Sequence, residues 1–233
     1  MYGRIIFGAS AALSGVVQLI WHDSEIWQLM KPLGTPAGTI VGWCLVIAMI
    51  AGGIAMIVPQ LARAASVVVG AVFLVFTLDN VPGMFATPKE PGLYVNFFEQ
   101  LSIVCGAFAV YARSATLGAA LRIVLGVCTV SFAWAQVVYL QYTASLVPAW
   151  IPPNGVFWTN LTTAAFGLAA IAMLINVRAR LAMRLMALMI ALFGIIVWVP
   201  KILAQPHDLS NWNEITANYL IAAASWLVSE LEK

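Results

Sequence analysis

Two glutamines, Gln18 and Gln136, and one glutamate, Glu99, stand inside runs of otherwise apolar residues. A carboxamide offers both a donor and an acceptor, and a carboxyl group can carry a proton. Among apolar neighbours such groups must pair with each other or face a cavity. Two chemistries fit: the glutamines polarise the carbonyl or oxyanion of a bound ligand, and Glu99 moves a proton to or from it. The plainer alternative is that the glutamines hydrogen-bond helix to helix and that Glu99 is a solvated acid near a helix N-terminus, where the dipole favours it. His22-Asp23 and His207-Asp208 are weak metal candidates only. They are far apart in sequence, and no HxxxH or HxxE spacing accompanies them, so no metal is expected.

The elements that position these groups follow from composition. Of 233 residues, 63% are hydrophobic and 9% charged, against about 25% charged in a typical soluble domain. So apolar a chain cannot bury its side chains in one water-facing core, and its solvent is lipid. Crossing roughly 30 Å of hydrocarbon at about 1.5 Å per residue takes about 20 apolar residues in a helix. Eight such runs are expected, at 4–21, 38–58, 61–81, 94–112, 118–141, 155–176, 179–203 and 213–229, with prolines marking the breaks. The first run reads as a span rather than a cleaved signal. Cys44, Cys105 and Cys128 fall singly in different runs and read as small packing residues.

Charge sets the orientation. Eight of the eleven Lys and Arg residues fall on the side shared by the termini, including Arg113 and Lys233. The positive-inside rule places both termini in the cytoplasm of a bacterial-type inner membrane. The opposite side carries most of the acids, among them Asp23, Glu25, Asp79, Glu90, Glu99, Asp208 and Glu214. Such a face offers nucleic-acid phosphates no binding surface.

The chain also reads as a repeat. RIIFGASAALSGVVQLIW at 4–21 matches RIVLGVCTVSFAWAQVVY at 122–139 with an offset of 118, pairing Arg4 with Arg122, Gly8 with Gly126 and Gln18 with Gln136. Val81-Pro82 returns as Val199-Pro200, and an offset of 117 brings Pro36 onto Pro153, Met56 onto Met173 and Arg63 onto Arg180. The expected units are 1–116 and 117–233. Four spans return the chain to its starting side, so the units are parallel and related by a pseudo-twofold axis along the membrane normal. In each, a Trp- and Pro-rich connection follows the first span. In the second unit it is SLVPAWIPPNG at 145–155. It reads either as an interfacial turn or as a lid carrying Trp150 over a site.

Three stretches of the second unit resemble the DoxX-like membrane proteins: RIVLG at 122–126, VPAWIPPNGVFWT at 147–159, and ARLAMRLMALM at 179–189 followed by VPKILAQPHD at 199–208. The first unit is the weaker copy. The resemblance implies four-helix bundles in a membrane redox context, in which some relatives are linked to thiosulfate oxidation coupled to quinone and others to accessory roles. Family members often carry a histidine before the Val-Pro step, where Trp198 stands here, and the acid that opens the fourth helix is Glu99 in the first unit but Ala217 in the second.

No GxSxG, Walker, Rossmann or zinc-hydrolase pattern is present. The expected function is therefore an accessory or structural subunit of a membrane redox system, holding quinone or lipid between helices near Gln18, Gln136, Glu99, Trp150 and Trp198. Its expected partners are the bilayer and either other membrane subunits or further copies of itself. The alternatives are a quinone-linked thiosulfate oxidoreductase subunit and a small-molecule transporter.

Overall fold

The computed structural model describes residues 2–112 and 114–232, so Arg113 and Lys233 of the charge reading lie outside the described residues. The described chain is helical throughout: α1 (Tyr2–Ile20), α2 (Glu25–Met30), α3 (Ala37–Ile57), α4 (Ala62–Ala86), α5 (Pro91–Tyr111), α6 (Ala115–Val138), α7 (Leu140–Leu146), α8 (Gly155–Leu174), α9 (Ala179–Phe193), α10 (Val199–Ala204) and α11 (Leu209–Leu231). A π-helical turn, Gly194–Trp198, joins α9 to α10 and makes one continuous segment of them.

Seven of these segments are long and apolar enough to cross a membrane: α1, α3, α4, α5, α6, α8 and the α9–α10 segment. The eighth expected run corresponds to α11, which has the length, at 23 residues, but includes Asn211, Asn213, Glu214 and Asn218. Its polarity follows from its surroundings. It packs against α1, α5, α6 and α9, and Leu220 to Ser225 are buried without interruption. A helix enclosed by protein on every side has no lipid face to keep apolar.

The other helices do have one. On α3, Ile40, Ile47 and Ile54 are each more than half exposed, while Val46, Met49 and Met56 are buried. That seven-residue recurrence is an outward apolar stripe, which suits lipid and not water. On the inner side, close crossings rest on small residues. A Cβ on Gly53 would run into Gly8 and the Ala12 backbone, so α1 and α3 meet almost backbone to backbone.

In the first half of the chain α1 packs on α3, α3 on α4 and α4 on α5; in the second half α6 packs on α8, α8 on α9 and α9 on α11. Contacts α1–α11, α5–α6 and α5–α11 join the two groups. The short helices α2 and α7 lie on α3 and α8 respectively. One expected break did not occur. α4 continues past Pro82 to Ala86, because a proline this near a helix end removes only one donor and the remaining turn still closes.

Candidate functional site

Five helices meet around a polar cavity of about 110 Å³, bordered by Ser14 and Gln18 of α1, Glu25 of α2, Phe73 and Phe76 of α4, Glu99 and Gln100 of α5, and Asn213, Glu214 and Thr216 of α11. Ser14 and Gln18 are four residues apart and so share a helix face.

Gln18 is the most tightly held of these. It is 2% exposed. Its Oε1 accepts from the Ile26 backbone N–H at 3.0 Å, and its backbone carbonyl accepts from Trp27 Nε1 at 2.8 Å. The side chain thus supplies the acceptor that the start of α2 needs, since Ser24 at the N-cap makes no capping bond. Trp27 in turn stacks on His22 at 5.1 Å and meets Trp43 edge-on at 5.4 Å. With Oε1 committed to Ile26, the orientation of the amide is fixed. On α5, the buried Gln100 Oε1 has no hydrogen-bond partner among the described residues.

Three carboxylates from three helices converge here. Glu99 lies near enough to Glu214 and Glu25 for their charges to act on it. Lys201 of α10 acts on Glu214 from outside the lining. Glu25 keeps accessible surface at the rim, yet packed protein surrounds the carboxyl group. That burial, with the charge of Asp79 second, pushes its pKa up to about 7. Among the described residues, no group of three or more His, Cys, Asp or Glu is arranged to hold a metal ion.

A second, larger space of about 510 Å³ lies on another side of α5, between α5 and α6. Tyr94, Phe98, Val127, Val130 and Trp134 line it, together with Pro88, Lys89 and Pro91. Tyr94 and Trp134 meet edge-on at 6.5 Å. Ser131, 6% exposed, borders it with an Oγ that makes no hydrogen bond.

The structure brings together only two of the residues singled out from sequence, Gln18 and Glu99. Gln136 instead accepts from Thr162 and Thr163 of α8 at 3.0 and 2.9 Å, a helix-to-helix link. Trp150 is 74% exposed and borders neither cavity. Trp198 is buried beneath Lys201, whose Nζ is 5.0 Å from the ring centroid. His22 and His207 are exposed and lie outside both cavities. Sequence reading did not pick out Glu25, Gln100 or Glu214 as site residues. Glu214 carried a usable signal, because it falls inside the last expected run, where an acid must face protein or water. Comparison with known proteins finds no significant match to any family model, curated protein or solved structure.

Proposed function

We propose that this chain is an eight-span protein of a bacterial-type inner membrane, with both termini cytoplasmic, built from two parallel DoxX-like units. We propose further that it serves as an accessory subunit of a membrane redox system and holds a quinone or lipid in the groove between α5 and α6. The observation that carries the ligand reading is the groove itself. It has aromatic and aliphatic walls, and its lining includes Lys89 and the unengaged hydroxyl of Ser131. Apolar walls with a few polar groups that fix orientation are the usual form of a small-molecule site. A quinone carbonyl or a lipid phosphate supplies the acceptor that these donors lack.

The repeat is supported by contacts at closely corresponding places. The matched arginines Arg4 and Arg122 donate, Arg4 Nη2 to the Ile57 carbonyl and Arg122 Nη1 to the Met173 carbonyl, which is one residue before the match of Ile57. Gly106 and Ala224, 118 residues apart, touch each other between α5 and α11, as a position lying on a pseudo-twofold axis does.

Native mass spectrometry of protein extracted gently from its own membranes tests this. A retained quinone or lipid, lost when Trp134 and Phe98 are replaced by Ala, is the expected result. A ligand-free chain, or retention unchanged in that variant, overturns the ligand reading. Extra protein subunits in the particle support the accessory role, and a lone chain counts against it.

A further inference from the structure

The arginines of the described residues divide into two kinds. Arg4, Arg63 and Arg122 each donate to a backbone carbonyl of another helix, at Ile57, Tyr111 and Met173. Arg178, Arg180 and Arg184 lie in the turn after α8 and the first part of α9, and among the described residues none of them has a hydrogen-bond acceptor. The one ion pair among the described residues is that of Arg122 with Glu232, and α9 has no acid in its first turn. Arg184 Nε is buried and unpaired. Its guanidinium carbon lies 5.1 Å from the ring centroid of Trp226 on α11. Glu230, on the same helix, accepts from Trp226 Nε1 at 3.0 Å. Like charges four residues apart repel, and cations at a helix N-terminus oppose its dipole. A phosphate shared among the three side chains offsets both effects, through the paired charge-assisted hydrogen bonds that guanidinium groups make.

The residues beside these arginines say which phosphate fits. In the turn, Ile175 and Val177 are more than half exposed, in alternation with Asn176 and Arg178. On α9, Leu181, Leu185 and Leu188 are half exposed or more. At about 100° per residue, the side of α9 that they occupy adjoins the side that bears Arg180 and Arg184. Exposed apolar side chains next to unpaired cations suit a molecule with an anionic head and an apolar chain. A free phosphate ion makes no use of the leucines. Trp226 suits the same level, because tryptophan favours the headgroup region.

We propose that Arg178, Arg180 and Arg184 form a binding surface for the phosphate of an anionic phospholipid, whose acyl chain lies along Leu181, Leu185 and Leu188. Basic groups between helix ends at a membrane surface recognise such headgroups. Arg178 has a left-handed backbone, with φ at 51°, a conformation that favours glycine. Its side chain makes no capping bond, so what it adds at this position is charge. The corresponding turn between α3 and α4 carries one arginine, Arg63, which is already engaged with the Tyr111 carbonyl and ring.

The test uses the full chain in a neutral detergent at fixed ionic strength, titrated with dioctanoyl phosphatidylglycerol, dioctanoyl phosphatidylcholine or inorganic phosphate. Thermal unfolding and calorimetry are the readouts. The expected result is saturable stabilisation by phosphatidylglycerol alone, with binding about fivefold weaker in Arg180→Gln and in Arg184→Gln, as loss of one basic group near a headgroup implies. Arg178→Gly should weaken binding to a similar degree while it folds as stably as the unaltered chain or more so, which a merely structural arginine would not do. Arg63→Gln removes the same charge elsewhere and should leave binding unchanged. The proposal is overturned if phosphatidylglycerol has no effect, if phosphatidylcholine or inorganic phosphate matches it, or if Arg63→Gln weakens binding as much as Arg180→Gln. Arg180 is exposed, so its replacement leaves the packing intact. The variant with Ala at Phe98 and Trp134 separates this surface from the α5–α6 groove. It should bind phosphatidylglycerol as the unaltered chain does, whatever becomes of the groove ligand. Loss of binding there, with Arg180→Gln unaffected, would put the lipid in the groove and overturn the proposal.

Discussion

Gly106 of α5 and Ala224 of α11 sit so close that a Cβ on Gly106 would lie 2.6 Å from the Ala224 Cα and 2.7 Å from the Phe7 ring. The tightest crossing between the two groups of helices therefore depends on one missing methyl group. Gly106→Val is expected to destabilise the protein by about 1–3 kcal/mol, the usual cost of overpacking a filled interior. Gly167→Ala on α8 is the control, since nothing lies within 4 Å of a Cβ added there. It should be neutral or stabilising by about 0.5–1 kcal/mol through helix propensity. Equilibrium unfolding in mixed detergent micelles measures both.

Arg122 is 6% exposed, and its Nε lies 3.0 Å from Glu232 Oε1. The pair ties the end of α11 to α6. Glu232→Gln leaves the guanidinium with the Met173 carbonyl but without a counter-charge. A loss on the order of 3 kcal/mol is expected, as for breaking a buried ion pair from one side. Arg122→Met removes the charge too and should cost less than Glu232→Gln. The same unfolding assay checks the order, and the reverse order would contradict an uncompensated-charge penalty.

Gln136 accepts from two threonine hydroxyls, but each also has a carbonyl of its own helix in reach: Trp158 for Thr162 and Thr159 for Thr163. Gln136→Leu should therefore cost little, about 0.6 kcal/mol per lost bond. A double-mutant cycle with Thr163→Val measures the coupling. Gln18→Leu should cost more, because the Ile26 N–H then has no acceptor.

Glu25 gives a defined dependence on pH. Its pKa rises on folding from 4.5 to about 7. Between these values the folded chain holds a proton that the unfolded chain has released. Its contribution is fully present below pH 4.5 and is lost as pH rises through 7. The difference in melting temperature between the unaltered chain and Glu25→Gln should fall across that window and level off above it. Asp79→Asn should move the upper limit down.

Much of this architecture is legible from residue order. The lipid-facing stripe of Ile40, Ile47 and Ile54 follows from hydropathy and the helical period, and the seven apolar spans fall within a few residues of the expected runs. Gln18 and Glu99 stand out because a polar group among apolar neighbours needs a partner wherever it goes. These are local properties, set by each side chain and its nearest neighbours along the chain. Which partner each group finds is decided by packing. Gln18 and Gln136 occupy matched places in sequence, yet one caps α2 beside a cavity and the other bonds to α8. Glu99 meets Glu25 and Glu214 because α2 and α11 close over the start of α5 from 74 residues before it and 115 residues after it. Hydropathy places each helix in the bilayer but carries no information on its neighbours. The close crossings of small residues such as Gly8, Gly53 and Gly106 choose those neighbours, and with them the site.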